Sequence, residues 1–200
     1  MLTSAAYLQS AADNAAQSGT DPQNRLCWRF SRHRLEAEAV RDSLLAVSGE
    51  LDPTMFGPGT LDEGMKRRSI YFTVKRSRLI PTLMIFDAPD ALLSLPVRSS
   101  TTIAPQALLL MNNDHVREFA RSLAHRISPK PDTPASEAIA NGYLLTLSRP
   151  PSRQELADTL AFLQTQTESY HASGQPKPYD LALIDLSQVL LGLNEFLYIE

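Results

Sequence analysis

Proline divides the second half of this 200-residue sequence into segments that each carry apolar residues on one side. Because proline lacks an N–H group and fixes φ, it begins or ends a helix far more often than it lies inside one. The intervals between prolines predict four helices, over 105–127, 134–147, 152–170 and 180–196. Their short connections favour neighbouring helices in an antiparallel bundle.

The first half of the sequence is less regular. A weak helix is expected over 1–20, and apolar spacing predicts a stronger one over 31–48, ended by Gly49. Residues 51–64 contain three glycines and two prolines, which is typical of a loop. One strand is predicted, over 69–75, where β-branched and aromatic residues are enriched.

These predictions define a mainly α protein, an irregular helical domain with a C-terminal antiparallel helical bundle and at most one short β element. Residues 1–104 form an arginine-rich helix and loop region and residues 105–200 form the bundle. We expect the two parts to make one structural domain. The last residues are too apolar for a solvated tail, so we expect Phe196 to dock against the 105–127 helix.

Composition excludes several classes of protein. Apolar residues make up 43% and charged residues 20%, which is typical of a globular domain and not of a disordered chain. The net charge of −3 provides no basic field of the kind that nucleic acid requires, so no nucleic-acid partner is expected. No apolar run approaches the roughly 18–20 residues of a membrane span, and the first residues lack the features of a signal peptide.

Positive charge is nevertheless concentrated, since eleven of the 19 lysines and arginines lie between residues 25 and 78. Guanidinium groups bind phosphate, sulfate and carboxylate in bidentate fashion. The candidate anion-binding residues, expected to converge beside the acids of the 36–42 segment, are Arg67, Arg68, Lys75, Arg76 and Arg98. The favoured alternative is that interleaved acids neutralise this surface by pairing within the chain.

A polar cluster inside the predicted 105–127 helix is the second candidate site. Asn112 and Asn113 are poor helix formers, so their position indicates some constraint other than propensity. The favoured explanation is that these amides satisfy buried backbone groups of the preceding loop. The alternative is a polar cluster that lines a cleft together with Arg98 and Gln106.

No pattern in the sequence indicates catalysis. It has no nucleophile motif, no paired carboxylates at a recognisable spacing and no histidines at metal-ligand spacing, so neither catalytic residues nor a metal site are predicted. A single cysteine, Cys27, permits no internal disulfide and no c-type haem motif. No cofactor is therefore expected in this chain.

Long motifs run along the sequence. They include DPxNRLxWR at 21–29, RLxAEAVRDSLL at 34–45, RRSIY at 67–71, RxSTTxAPQAL at 98–108 and NEFLYI at 194–199. In this order they resemble a planctomycete-type family, domain of unknown function 1553.

The resemblance implies a context and supplies no catalytic residues. Such domains form the C-terminal part of large exported proteins, often beside a cytochrome c-like domain. It implies an extracytoplasmic location, with haem only on a separate domain of a full-length parent protein. The segment 4–10 resembles an internal stretch of the family, so the chain is expected to be an N-terminally truncated copy. An exposed apolar surface that includes Trp28, Phe30 and Ile70 is then expected.

Two functions fit these observations. The first is a non-catalytic binding or scaffolding module that packs against other domains of the parent protein, or against its missing N-terminal half, and presents the arginine-rich face to a partner or an anionic polysaccharide. The second is a fragment of an extracytoplasmic enzyme acting on complex carbohydrate, whose site is completed by missing N-terminal sequence. The lack of a readable catalytic constellation favours the first.

Overall fold

A computed structural model describes residues 3–90, 92 and 94–199, and helices dominate these residues. The elements, in chain order, are α1 (Ala15–Thr20), β1 (His33–Arg34), α2 (Ala37–Ser48), a 3-10 turn (Ser69–Tyr71), α3 (Pro81–Ile85), α4 (Ala104–Asn112), α5 (Asp114–Ile127), α6 (Ala135–Leu147), α7 (Arg153–Ala172), α8 (Pro178–Leu191), α9 (Asn194–Leu197) and β2 (Tyr198–Ile199). The predicted mainly α fold is confirmed.

Helix α8 is the centre of the C-terminal bundle, where it packs against α4, α5, α6 and α7. Its buried residues cover somewhat more than half of the helix circumference and are Ala182, Leu183, Ile184, Leu186, Ser187, Leu190 and Leu191. An apolar face of this width is wider than one neighbouring helix can cover, so it needs several partners. The hydrophobicity of α8 therefore favours packing of several helices against it.

Gly142 of α6 leaves room for a side chain of the central helix. A Cβ atom at this position would lie 2.9 Å from Leu190 Cδ1 of α8, which is closer than real Cβ atoms come to other heavy atoms. The glycine is unfavourable for the helix itself, but it allows the Leu190 side chain to rest on the α6 backbone. A larger residue here would require the end of the Leu190 side chain to move.

The core of the bundle extends into the first half of the chain. Val40 and Leu44 of α2, together with Leu83 and Phe86 in and after α3, belong to the same buried cluster as the bundle residues. Helix α2 lies directly against α5. The regions 1–104 and 105–200 therefore share one hydrophobic core.

The predicted 105–127 helix is interrupted at Asn113, which has an extended backbone with ψ of 131°. The Asn113 side-chain oxygen accepts hydrogen bonds from the N–H groups of His115 and Val116 at 2.9 and 3.3 Å, and so caps the start of α5. On the other side of the break, Gln188 Nε2 donates to the carbonyl oxygens at the end of α4. The unfavourable asparagine thus marks a helix boundary.

Helix α2 begins at Ala37 and not at residue 31, because the preceding residues pair with the C-terminus. In the described part of the chain, β1 and β2 form the two-stranded antiparallel sheet, with Arg34 opposite Tyr198. The Leu35 N–H group extends this pairing by donating to the carbonyl oxygen of Leu197 at 2.8 Å. The beginning and the end of the fold are joined at this point.

The strand predicted over 69–75 is wrong. Ser69–Tyr71 forms a 3-10 turn, and Phe72 and Lys75 make only single bridges to Thr60 and Arg78. The reason is local, since the Asp42 carboxylate of α2 accepts hydrogen bonds from both the N–H and the hydroxyl of Ser69 at 2.7 Å. This side-chain anchor bends the segment where a strand would need to stay extended.

The C-terminal residues are packed into the fold. Phe196 is 6% exposed, and its short helix α9 lies against α6. Phe196 belongs to the same buried cluster as Leu110 of α4 and Leu123 of α5, and its docking on the 105–127 segment stays a prediction. The hydroxyls of Thr102 and Tyr198, 2.8 Å apart, hold the strand that follows. The predicted burial of the aromatic C-terminus is confirmed.

Removal of the Phe196 ring should lower the stability of the whole domain. Phe196→Ala is expected to lower the free energy of unfolding by about 3–5 kcal/mol, because a buried ring is lost and leaves a cavity. Val189→Ala, at a half-exposed position of α8, is the control and should have a much smaller effect. Urea denaturation measures both, and a loss below about 1 kcal/mol for Phe196→Ala would show that the tail is peripheral.

An ion-pair network joins the start of α7 to α9. The Arg149 guanidinium donates to Glu155 and to Glu195, with shortest distances of 2.7 and 2.6 Å. Glu155 also completes a capping box with Ser152, as the sequence predicts. The hydrogen bond from Arg149, followed by that from the Ser152 N–H group, lowers the pKa of Glu155 from 4.5 to about 2.

This shift predicts a pH dependence of stability. A carboxylate with a lowered pKa stabilises the fold above its unfolded-state pKa, and the stabilisation disappears as the pH falls from 4.5 towards 2. Glu155→Gln should therefore destabilise the protein at neutral pH, with the difference from wild type shrinking across this window. Glu137→Gln, an exposed carboxylate in α6, is the control in pH-resolved denaturation, and a difference that stays constant with pH would contradict the assignment.

Candidate functional site

The arginines of the first half mostly serve the backbone of their own chain. Arg41 is buried, and its guanidinium donates to the carbonyl oxygens of Met65 and Arg67 and, at 3.2 Å, to the Ser69 hydroxyl. It also lies 4.6 Å from the centre of the Phe72 ring. Arg41 thereby holds the segment that follows the glycine-rich loop against α2.

Arg34 does the same for the segment after α3. Its side chain is buried, pairs with Asp87 and donates to the carbonyl oxygen of Phe86 at 3.3 Å. Asp87 in turn accepts hydrogen bonds from the N–H and the hydroxyl of Thr101 at 2.8 Å. Burial raises the pKa of Asp87, but the hydrogen bonds from Thr101 and the charge of Arg34 outweigh it, so the net shift is downward.

Arg67 organises the glycine-rich loop itself. Its guanidinium lies 3.6 Å from the centre of the Tyr71 ring and donates to the carbonyl oxygens of Thr54, Phe56 and Pro58. A flat guanidinium with five N–H groups suits such a set of acceptors, since a lysine offers only a point charge. This predicted anion-binding residue is therefore committed to the loop.

Two further members of the predicted anion face are paired with acids of the chain. Arg68 Nε lies 3.6 Å from the Asp42 carboxylate, and Arg98 Nη1 donates to both Glu36 and Glu38 at 2.9 Å. These contacts place Arg98 beside the start of α2, as expected for convergence with the acids of that helix. They also leave less of its charge available to a ligand.

Lys75 and Arg76 lie exposed in a turn closed by the Lys75–Arg78 bridge. Within the described residues, the side chains of Lys75 and Arg78 have no hydrogen-bond or ion-pair partner. Lys75, Arg78 and Arg98 line one groove of about 320 Å³. Arg76 is not among the residues that line it. We call this feature the basic groove.

The rest of the basic groove is mainly apolar, and two acids, Glu38 and Asp90, also line it. Its apolar lining residues are Phe72, Val74, Leu79, Ile80, Leu83, Met84, Ala88 and Pro89. A smaller cavity of about 210 Å³ shares Met84, Asp90 and Arg98 with it and extends the surface toward Leu95. The arrangement offers unpaired cations beside an apolar surface.

The predicted polar cluster does not assemble around Arg98. Gln106 is buried, where its Nε2 donates to the carbonyl oxygens of Ile85 and Thr101 at 3.0 and 3.1 Å. Asn113 caps α5, and Asn112 is exposed at the end of α4. Gln106 thus satisfies backbone groups of the preceding loop, which is the role the sequence favoured for the nearby amides.

Exposed apolar side chains concentrate in one part of the chain. Ile70 is 73% exposed, while Trp28 and Phe30 are half-buried. The other exposed large apolar residues between 55 and 111 are Met55, Phe56, Val74, Leu92, Leu95, Val97, Ile103, Leu108 and Met111. Of the three residues expected in an exposed apolar surface, Ile70 is therefore exposed and the other two are only partly so. A continuous surface that includes all three stays a prediction.

In the ranges that the structure covers, no group of three or more histidine, cysteine, aspartate or glutamate side chains is placed to hold a metal ion. The same residues contain no helix with the length and apolar character needed to cross a membrane.

Arg78 lines the basic groove but is not among the residues predicted from the sequence to bind an anion. The available signal was its position three residues after Lys75 in a cluster of cations.

The structure defines a mainly helical domain with the basic groove on its surface. A family model described as a protein of unknown function, DUF1553 (PSD1), matches residues 1–163, and the chain belongs to this family. The resemblance found in the sequence is thereby confirmed, with the match ending inside α7 and the 194–199 motif outside it. No curated protein and no solved structure matches the chain.

The adjacent arginines 67 and 68 provide a matched pair for testing the structural role of the guanidinium groups. Arg67→Lys should destabilise the protein by about 1–3 kcal/mol, because hydrogen bonds to several carbonyl groups and the stacking on Tyr71 are lost. Arg68→Lys, at a side chain that is 64% exposed, should change stability by less than about 0.5 kcal/mol. Equal effects of the two substitutions in urea denaturation would contradict this assignment.

Proposed function

We propose that this chain is a non-catalytic binding module of a larger protein, and that the basic groove binds an acidic, partly aliphatic polypeptide segment from another domain of that protein. The observation that carries the proposal is the combination of two unpaired cations, Lys75 and Arg78, with an aliphatic lining. Cations at the edge of an apolar surface select acidic partners, while the apolar surface provides binding free energy.

The aliphatic lining favours a polypeptide over a polysaccharide. Val74 is 82% exposed and Met84 lies beside it in the groove. Burial of such side chains stabilises a complex only if the partner brings apolar groups of its own. A polypeptide supplies leucine or valine between its carboxylates, whereas an anionic polysaccharide supplies mainly hydroxyl groups.

The carboxylates in and near the groove interact with groups of the chain itself. Glu36 and Glu38 accept hydrogen bonds from Arg98, and Asp87 accepts them from Thr101 and Arg34. Asp90 accepts one from the Leu92 N–H group. Pairing with Arg98 and Arg34 reduces the negative charge that Glu36, Glu38 and Asp87 would present to an acidic partner.

The larger context is proposed from the resemblance alone, since the family to which the chain belongs is one of unknown function. The resemblance implies a multidomain exported parent, so the acidic segment is proposed to come from a neighbouring domain. Extracytoplasmic location and a cytochrome c-like neighbour remain predictions.

The groove can be tested with a fluorescently labelled peptide in which Asp and Glu alternate with Leu and Val. Lys75→Glu and Arg78→Glu should each weaken binding by about tenfold or more in fluorescence anisotropy. The matched control is Arg76→Glu, which changes the same charge in the same turn outside the groove lining. Its effect should be limited to a general electrostatic loss that disappears in added salt.

A second pair of variants tests the apolar part. Val74→Ser should weaken peptide binding, while Ile70→Ser, at an equally exposed position outside the groove lining, should not. Polygalacturonate is the competing ligand. If it binds as tightly as the peptide and is insensitive to Val74→Ser, the groove recognises polysaccharide and the proposal is wrong.

A further inference from the structure

A second and larger cavity lies in the C-terminal bundle, with no lining residue in common with the basic groove. Its volume is about 750 Å³, within the range of small-molecule sites. It is formed by the last two turns of α5, the loop that follows, and the beginning of α8. We call it the proline-walled cavity, because Pro129, Pro131, Pro176 and Pro178 line it.

The charged residues of this cavity are mostly cations. Arg121, Lys130 and Lys177 line it together with His125, and Asp180 is the acid among the lining residues. Lys177 Nζ lies 3.8 Å from the Asp180 carboxylate. Within the described residues, the Arg121 and Lys130 side chains have no hydrogen-bond or ion-pair partner. The cavity is thus locally positive in a chain whose net charge is −3.

The interior of the cavity is apolar. Ala124, Leu183 and Ile184 are buried core residues that also line it. The Tyr179 ring lies between this cavity and another beside α7, and its hydroxyl is buried without a hydrogen-bond partner in the described structure. Because this hydroxyl is shielded from solvent, Tyr179 offers a ligand in the cavity its ring and not a hydrogen bond.

The walls are preorganised. Four prolines restrict the backbone of the two loops, and Lys177 is held in the left-handed region with φ of 51°. No side chain caps the start of α8, which follows Lys177 directly. Walls that do not need to be ordered on binding leave more of the interaction free energy for affinity.

We infer that the proline-walled cavity is a binding site for a small organic carboxylate with a flat apolar ring. Arg121 and Lys130 would pair with the carboxylate, and the prolines, Tyr179 and Ile184 would contact the ring. The inference is independent of the proposed function, since the two surfaces share no lining residue.

The probe is 2-naphthoate, titrated into the whole chain and followed by calorimetry and by protein NMR. Binding should perturb amide signals of residues 124–131 and 177–184 and no others to a comparable extent. The neutral 2-naphthamide and the cationic 2-naphthylmethylammonium have the same ring system. Each should bind at least about tenfold more weakly if the cations recognise the carboxylate.

Substitutions locate the site. Arg121→Glu combined with Lys130→Glu should weaken 2-naphthoate binding by about tenfold or more, with circular dichroism showing that the fold is retained. Arg76→Glu combined with Arg153→Glu, at two exposed positions outside this cavity, is the charge-matched control and should leave binding unchanged. Arg78→Glu tests whether the probe binds in the basic groove instead. The inference is overturned if 2-naphthamide binds as tightly as 2-naphthoate, if Arg78→Glu removes binding while Arg121→Glu combined with Lys130→Glu does not, or if no saturable binding occurs.

Discussion

The irregular first half of this fold depends on guanidinium groups that donate to backbone carbonyl oxygens. The segments around 51–72 and 85–103 contain few helix or sheet hydrogen bonds, yet their buried carbonyl groups still require donors. The arginines that supply such donors are Arg34, Arg41, Arg67 and, at the end of α2, Arg126. Because each guanidinium reaches two or more acceptors, a few side chains fix long stretches of loop against the helices.

Because these arginines bind backbone groups, the cluster of cations in the first half of the sequence is not by itself evidence of an anion-binding surface. A cluster of cations in the sequence resembles an anion-binding face, but a cation that is paired with its own chain contributes little to a ligand. Once Arg67, Arg68 and Arg98 are assigned to internal partners, the groove cations without a partner are Lys75 and Arg78. The proposed function then rests on a small number of charges beside an apolar surface, an arrangement that suits recognition of a polypeptide segment better than binding of a polyanion.

Local signals predicted the parts of the fold that local interactions determine. Helix α6, the Ser152 capping box and the Gly49 end of α2 all follow from residues within one or two turns. The failures involve distant partners. The predicted 69–75 strand is replaced by a turn because Asp42 binds Ser69. Arg78 lines the groove and Arg76 does not, because the turn places only Arg78 on that side. Neither contact is encoded in the periodicity of the sequence.

The most direct test of this account is amide hydrogen exchange over residues 53–72 in the wild type and in Arg41→Lys. The lysine keeps the charge but cannot reach the carbonyl groups of Met65 and Arg67 together with the Ser69 hydroxyl. The account predicts that the segment loses protection in the variant while α5 and α8 keep theirs, because local opening is independent of the bundle core. Unchanged protection over 53–72 would contradict the claim that buried guanidinium groups hold the irregular half in place.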